Sequence, residues 1–143
     1  MEQFFVFLQK SPFNMLLLGL AVVSGGMLIF PLLTRGMRTT NEVGAAEAVM
    51  LINRKDAVVL DVRDDKEFAG GHITNARHIP EKQLDERMKE LEKLKNKPVI
   101  VSCASGRRSV SVADTLRKQG FTEVVALRGG IGAWQQAGMP LEK

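Results

Sequence analysis

The 143-residue chain contains no tyrosine, one tryptophan, two histidines and one cysteine. A lone cysteine excludes an intrachain disulfide framework and suits a reducing compartment. The two histidines, His72 and His78, do not combine with that single thiol in the spacing of a metal site, so no bound metal is expected. With so few aromatics there is no basic face interleaved with stacking side chains, and nucleic acid is not an expected partner. The formal net charge of +4 is not concentrated either. Residues 1–40 carry +2 and the rest of the chain +2. Internal repeats and low-complexity segments are also lacking.

Charge itself is missing from one stretch. Residues 13–33 hold no charged side chain. A helix of that length spans roughly 30 Å, the thickness of a bilayer's hydrocarbon core. The stretch is longer than the apolar core of a signal peptide, and no Ala-x-Ala-like cleavage site follows it. The expectation is one uncleaved transmembrane helix at 13–33, after a tail at 1–12 and before a linker at 34–42. Arg35 and Arg38 follow the span, whereas Lys10 precedes it with Glu2 nearby. The positive-inside rule then places the C-terminal domain in the cytoplasm. Within the span, Ala21-x-x-x-Gly25 is a small-xxx-small spacing that lets two helices approach. It allows a homodimer or a membrane-bound protein partner.

Residues 43–143 are long enough for one domain with a core of its own. Apolar runs at 57–61, 98–102 and 123–127 read as strands, and Arg77 to Ile79 reads as a short strand ended by Pro80. Between them, helical patterns fall at 44–53, 84–94, 109–119 and 130–137, with a helical turn at 64–69. The run from Asp85 to Lys95 alternates acid and base three and four residues apart over Leu84, Met88, Leu91 and Leu94, a solvated helix face above a buried one. Strands that are continuously apolar and alternate with helices predict an α/β fold, a mostly parallel sheet flanked by helices. Ligands of such sheets bind at the carboxyl ends of the strands. Asp61 and Cys103 both fall at such ends.

Cys103 opens the loop Cys103-Ala104-Ser105-Gly106-Arg107-Arg108 between a strand and a helix. Successive N–H groups of such a loop can point inward as an anion-binding nest backed by a helix N-terminus. Gly106 permits the sharp turn, and Arg107 and Arg108 add positive charge. A thiolate is stabilised there and becomes a nucleophile.

The loop Cys103-Ala104-Ser105-Gly106-Arg107-Arg108-Ser109 resembles the Cys-x-x-Gly-x-Arg-Ser active-site loop of rhodanese-family sulfurtransferases. Asp61-Val62-Arg63, Glu67-Phe68, Gly71-His72-Ile73 and Ala76 to Pro80 resemble the family's first signature. Gly120-Phe121, Gly129-Gly130-Ile131, Ala133-Trp134 and Ala137 to Pro140 resemble its C-terminal one. The likeness runs over residues 43–142, and with the anchor the chain is similar to membrane-tethered, single-domain bacterial members.

The resemblance implies a sulfurtransferase of the thiosulfate:cyanide class in a bacterial inner membrane. Cys103 would take sulfane sulfur from a donor such as thiosulfate. The persulfide would lie among the N–H groups of 104–108, and a thiol or cyanide would accept the sulfur with no cofactor. Two departures matter. Mammalian-type thiosulfate enzymes carry basic residues where this chain has Ala104 and Ser105. This motivates the alternatives of a membrane-tethered persulfide carrier or a protein-binding module with little thiosulfate turnover. Related phosphatases place arginine sixth after the cysteine, where this chain has Ser109. Phosphate chemistry is accordingly not expected. Asp61 and Arg63 are read as a structural ion pair beside the site, with Arg63 adding positive field. His72 is read as a hydrogen-bonded structural residue and Trp134 as a core anchor.

Overall fold

The computed structural model describes residues 11–37 and 41–143, with side chains at 11–27 and 41–143. Two compact units divide the chain, residues 1–40 and 41–143. In the first, helix α1 runs over Pro12–Met37, with proline at the first helical position, where its missing N–H is no loss. Leu16, Leu17, Leu20, Val22, Val23 and Met27 on it are exposed. No helix among the described residues is long and apolar enough to cross a membrane. The stretch expected as a span at 13–33 is thus found as a helix, Pro12–Met37, and membrane crossing is not supported among the described residues.

The second unit holds five strands, β1 (Glu42–Val43), β2 (Val58–Asp61), β3 (Arg77–His78), β4 (Val99–Ser102) and β5 (Val124–Leu127). They form one sheet in the order β1-β5-β4-β2-β3, with every pair parallel. Between them lie α2 (Ala45–Lys55), α3 (Asp65–Ala69), α4 (Leu84–Leu91), α5 (Arg107–Lys118) and α6 (Gly130–Gln136). The expected α/β architecture, a parallel sheet with helices on both faces, is what the chain adopts.

The two-residue alternation of a strand divides the core into two layers. Val99, Val101 and Cys103 face one side, where they join Leu84 and Leu91 of α4 and Val112, Ala113 and Leu116 of α5. Ile100 faces the other, with Ala45 and Ala48 of α2 and Ile131 and Trp134 of α6. All four residues of β4 are buried, because helices cover both faces of this central strand. On α5, Ser109, Val112, Ala113 and Leu116 are the buried stripe, the one-sided spacing of an amphipathic helix.

Three details depart from the expected elements. The short strand β1 straddles the expected boundary between linker (34–42) and domain, and pairs Glu42 with Ala126 and Val43 with Leu127. Two residues carry no periodicity from which a strand can be read. The helix expected over 84–94 ends at Leu91 and continues as a 3-10 turn over Glu92–Leu94, where the tighter winding buries Leu94 beside Leu91. Helix α5 starts at Arg107 rather than Ser109, so both arginines belong to its first turn.

Candidate active site

From β2 the chain proceeds to β3 on one side of the sheet. From β4 it proceeds to β5 on the other. The two neighbouring strands thus send their connections apart, and a crevice opens between their carboxyl ends, the usual ligand position in such sheets. Asp61 closes β2, and Cys103 follows β4 directly.

Cys103 is 1% exposed. Its Sγ accepts the N–H of Gly106 at 3.0 Å. The loop carbonyls turn the other way: Cys103 O accepts the N–H of Ile131 at 2.8 Å, and Ala104 O that of Gly132 at 3.3 Å. The N-terminus of α6 thereby holds two acceptors of the loop, while the Gly106 N–H faces the sulfur. Gly106 has φ +91°, a left-handed conformation that opens α5 and directs its own N–H at Sγ. The Ser109 hydroxyl donates to Gly106 O at 2.8 Å and fastens the turn. Gly130 allows the close approach from the other side. A Cβ there would lie 2.1 Å from Cys103 O, and φ is +58°. The Gly129-Gly130 pair is thus a contact surface for the cysteine loop, a role that its place in a terminal signature does not disclose.

The first turn of α5 has no side-chain cap, so its N-terminal N–H groups and partial positive charge face the loop. Ala104, Ser105 and Arg107 are exposed, and Arg108 is partly so. Arg108 donates from one terminal nitrogen to both oxygens of the Glu67 carboxylate, at 3.1 and 3.4 Å. Arg107 makes no such side-chain bond among the described residues. Beside Arg108 opens a cleft of about 260 Å³ lined also by Val62, Asp64, Pro80, Glu81 and Lys82. Val62 in its lining is tied to the end of β4, since its N–H donates to Ser102 O at 3.0 Å.

Arg63 sits apart from the sulfur in a closed network. Its Nε and one terminal nitrogen grip the Asp61 carboxylate at 2.7–3.1 Å. The remaining terminal nitrogen donates to Glu67 O at 3.1 Å, and Gly71 O is met at 2.7 Å. Arg63 is 5% exposed and Asp61 fully buried. Asp61 Oδ1 also takes the Arg63 N–H at 3.0 Å. A pair so fully engaged fixes the chain between β2 and α3 and has little left to offer a ligand. Ser102 Oγ, buried at the end of β4, has no partner among the described residues.

Helix α3 carries Glu67 to the loop. Asp64 caps it by accepting the Glu67 N–H at 2.8 Å, and this bond holds the Asp64 carboxyl below the usual carboxylate range. Phe68 lies stacked between His72 and His78, with centroids 3.9 and 4.1 Å away. The two rings bond to backbone, His72 Nδ1 at 3.2 Å from Phe68 O and His78 Nε2 at 2.8 Å from Arg63 O. Both belong to the support of α3. Trp134 is buried, and its Nε1 donates to Pro140 O at 3.0 Å.

The site residues expected from sequence thus fall in two groups. Cys103 and 104–108 form one wall of the crevice. Asp61 and Arg63 form a buried brace behind it. From sequence, Glu67 figures only as part of the first signature, with no role at the cysteine loop. It belongs to α3, 36 positions before Cys103 in the chain, and only the fold reveals that it meets Arg108.

Comparison with known proteins agrees with this fold. Residues 44–137 match the family model of the rhodanese-like domain. The chain is 41% identical over 96 residues to the uncharacterized protein YibN of Escherichia coli strain K12, covering 66% of this chain and 67% of that protein. It is 39% identical over 94 residues to the thiosulfate sulfurtransferase GlpE of Coxiella burnetii, covering 66% and 86%. Among solved structures, a rhodanese-related protein from Thermoplasma volcanium superimposes with a TM-score of 0.64 at 35% identity, over 71% of this chain and 96% of that one. A thiosulfate sulfurtransferase from Pseudomonas aeruginosa does so with a TM-score of 0.65 at 34% identity, over 77% of this chain and 21% of that one.

Proposed function

Because the chain belongs to the family of rhodanese-like domains, we propose that it is a sulfurtransferase working through a persulfide on Cys103. The observation that carries the reading is the Gly106 N–H at 3.0 Å from Sγ, with the loop carbonyls drawn off onto α6. In the first half-reaction the Cys103 thiolate attacks the outer sulfur of thiosulfate. A sulfur–sulfur bond forms on Cys103, the bond within thiosulfate breaks, and sulfite leaves with the bonding electron pair. In the second, an acceptor such as cyanide or a thiolate attacks the outer sulfur of the persulfide, and the Cys103 thiolate is restored. The outer sulfur extends about 2 Å beyond Sγ, toward the loop donors and the first turn of α5. Preorganised N–H groups aimed at a sulfur that carries negative charge in both half-reactions supply the stabilisation. Two half-reactions on one nucleophile predict ping-pong kinetics.

The test is thiocyanate formation from thiosulfate and cyanide by the full chain. Turnover that persists unchanged in Cys103→Ser contradicts the reading.

A second reading keeps the persulfide and changes the donor. Ala104 and Ser105 are small and exposed, and Arg108 is already paired with Glu67. A protein persulfide can approach such a rim, whereas a small dianion finds Arg107 as its one unpaired arginine at the loop. In this reading the protein relays sulfur from a protein donor to another thiol, and thiosulfate turnover has a high KM.

The N-terminal segment carries a proposal of its own. Charge-free residues 13–33 and the exposed leucines and valines of α1 support a single-pass anchor in a bacterial inner membrane, with the sulfurtransferase domain in the cytoplasm. A membrane-bound donor or acceptor, or a second copy of the chain, would then be the partner at hand. Protease added outside intact spheroplasts should leave the domain uncut.

A further inference from the structure

Arg107 and Arg108 are neighbours in the first turn of α5, yet their surroundings differ. The Arg108 guanidinium is engaged by the Glu67 carboxylate at 3.1 Å, with both side chains about a third exposed. Arg107 is exposed and has no such partner among the described residues. The carboxylate comes from α3, and α3 is rigidly placed. Asp64 caps it, Glu67 O receives Arg63, and Arg63 is locked on buried Asp61. Glu67 is thus delivered to the mouth of the cysteine loop by a chain of bonds that leads back into the sheet. Two consequences follow for an anion coming to Cys103. One of the two arginine charges is already neutralised, and a carboxylate stands against Arg108, which lines the neighbouring cleft.

We propose that Glu67 is a specificity-determining positioning residue: by holding Arg108, it disfavours small dianionic sulfur donors such as thiosulfate relative to donors of lower charge. The inference rests on the sulfurtransferase reading for its physiological meaning, but its physical content is the charge preference of access to Cys103. A partly exposed ion pair is weak enough to be exchanged for a ligand. Removing the carboxylate therefore frees Arg108 without disturbing the brace, since Arg63 contacts only the Glu67 backbone carbonyl.

The experiment compares alkylation of Cys103 in the full chain by iodoacetate and by iodoacetamide, reagents of similar size that differ in charge. Glu67→Gln keeps the shape and removes the charge. It should raise the ratio of the iodoacetate to the iodoacetamide rate by about three- to tenfold at low salt, and less at 1 M salt, where charges are screened over about 3 Å. The same variant should lower the thiosulfate KM by a similar factor while kcat changes little. Benzenethiosulfonate, a monoanionic donor, should show a smaller change. Glu67→Asp, which keeps the charge, should stay near the parent. In an Arg108→Gln background the Glu67→Gln gain should largely vanish, because the effect passes through Arg108. An unchanged or lowered alkylation ratio in Glu67→Gln overturns the proposal, as does a gain that is equally large without Arg108. Failure of any persulfide to form, with the alkylation ratio still raised, would instead overturn the sulfurtransferase reading and leave the charge preference standing.

Discussion

Arg63 and Arg107 mark opposite ends of one scale. Arg63 is buried and donates from all three nitrogens to Asp61, Glu67 O and Gly71 O. Arg107 is exposed and makes no such bond among the described residues. Both lie near the carboxyl ends of the central strands, and both carry the same charge. A guanidinium whose donors are occupied serves the fold, and one whose donors are free is available to a ligand. Arg108, bonded to Glu67 at 3.1 Å and partly exposed, stands between them. Its half-engaged state is what makes it adjustable.

Substitutions can press on this contrast at each end. The largest effect is expected at the buried end. Asp61→Ala leaves Arg63 charged, buried and without its carboxylate, which should destabilise the domain by about 3–5 kcal/mol. Urea denaturation of the full chain reads this directly. A loss below about 1 kcal/mol would mean that the brace is dispensable. Next comes the contact that seats the loop. Gly130→Ala puts a Cβ against Cys103 O, and the loop must move to relieve it. A displacement of about 1 Å at a catalytic loop lowers turnover on the order of a hundredfold, which a thiocyanate assay would show. Parent-like turnover would mean that α6 yields instead.

At the exposed end the effect is smaller. Arg107→Gln should lower kcat/KM for thiosulfate about three- to tenfold at low salt, with the difference fading as salt rises. It should leave stability unchanged. A loss of stability as large as that of Asp61→Ala would erase the distinction between the two arginines. The smallest effect concerns the cap of α3. The Glu67 N–H holds the Asp64 carboxyl below its ordinary value of 3.8. A depressed carboxyl contributes stability above its unfolded value, and that contribution is lost as pH falls through the folded value. Asp64→Ala should therefore differ from the parent at neutral pH and converge with it in acid. A difference that persists unchanged at pH 2 would contradict the capping role.

The three central strands β2, β4 and β5 and the parallel character of the sheet were legible in the sequence because each of the three is a short apolar run between helical patterns. Helices on both faces demand such runs. The loop at 103–108 was legible because thiol, glycine and two arginines are adjacent in the chain. What could not be read depends on contacts between distant segments. Strand β1 is too short to show a period. The packing of Gly130 on Cys103 O joins residues 27 apart, and the Glu67–Arg108 pair joins residues 41 apart. In sequence the two arginines look equivalent. Only the fold, by bringing α3 to the first turn of α5, makes them different. The charge-free stretch at 13–33 shows the opposite relation. Its composition alone predicts a membrane span, while the structure supplies a helix.

The central claim is that Cys103 carries the sulfur. Intact-mass and peptide spectra of the full chain after exposure to thiosulfate, without reductant, test it most directly. The account predicts a gain of one sulfur atom, about 32 Da, located on Cys103, lost on addition of cyanide and absent in Cys103→Ser. An unmodified Cys103 after exposure to both thiosulfate and benzenethiosulfonate, under conditions in which iodoacetamide alkylates it, would contradict it.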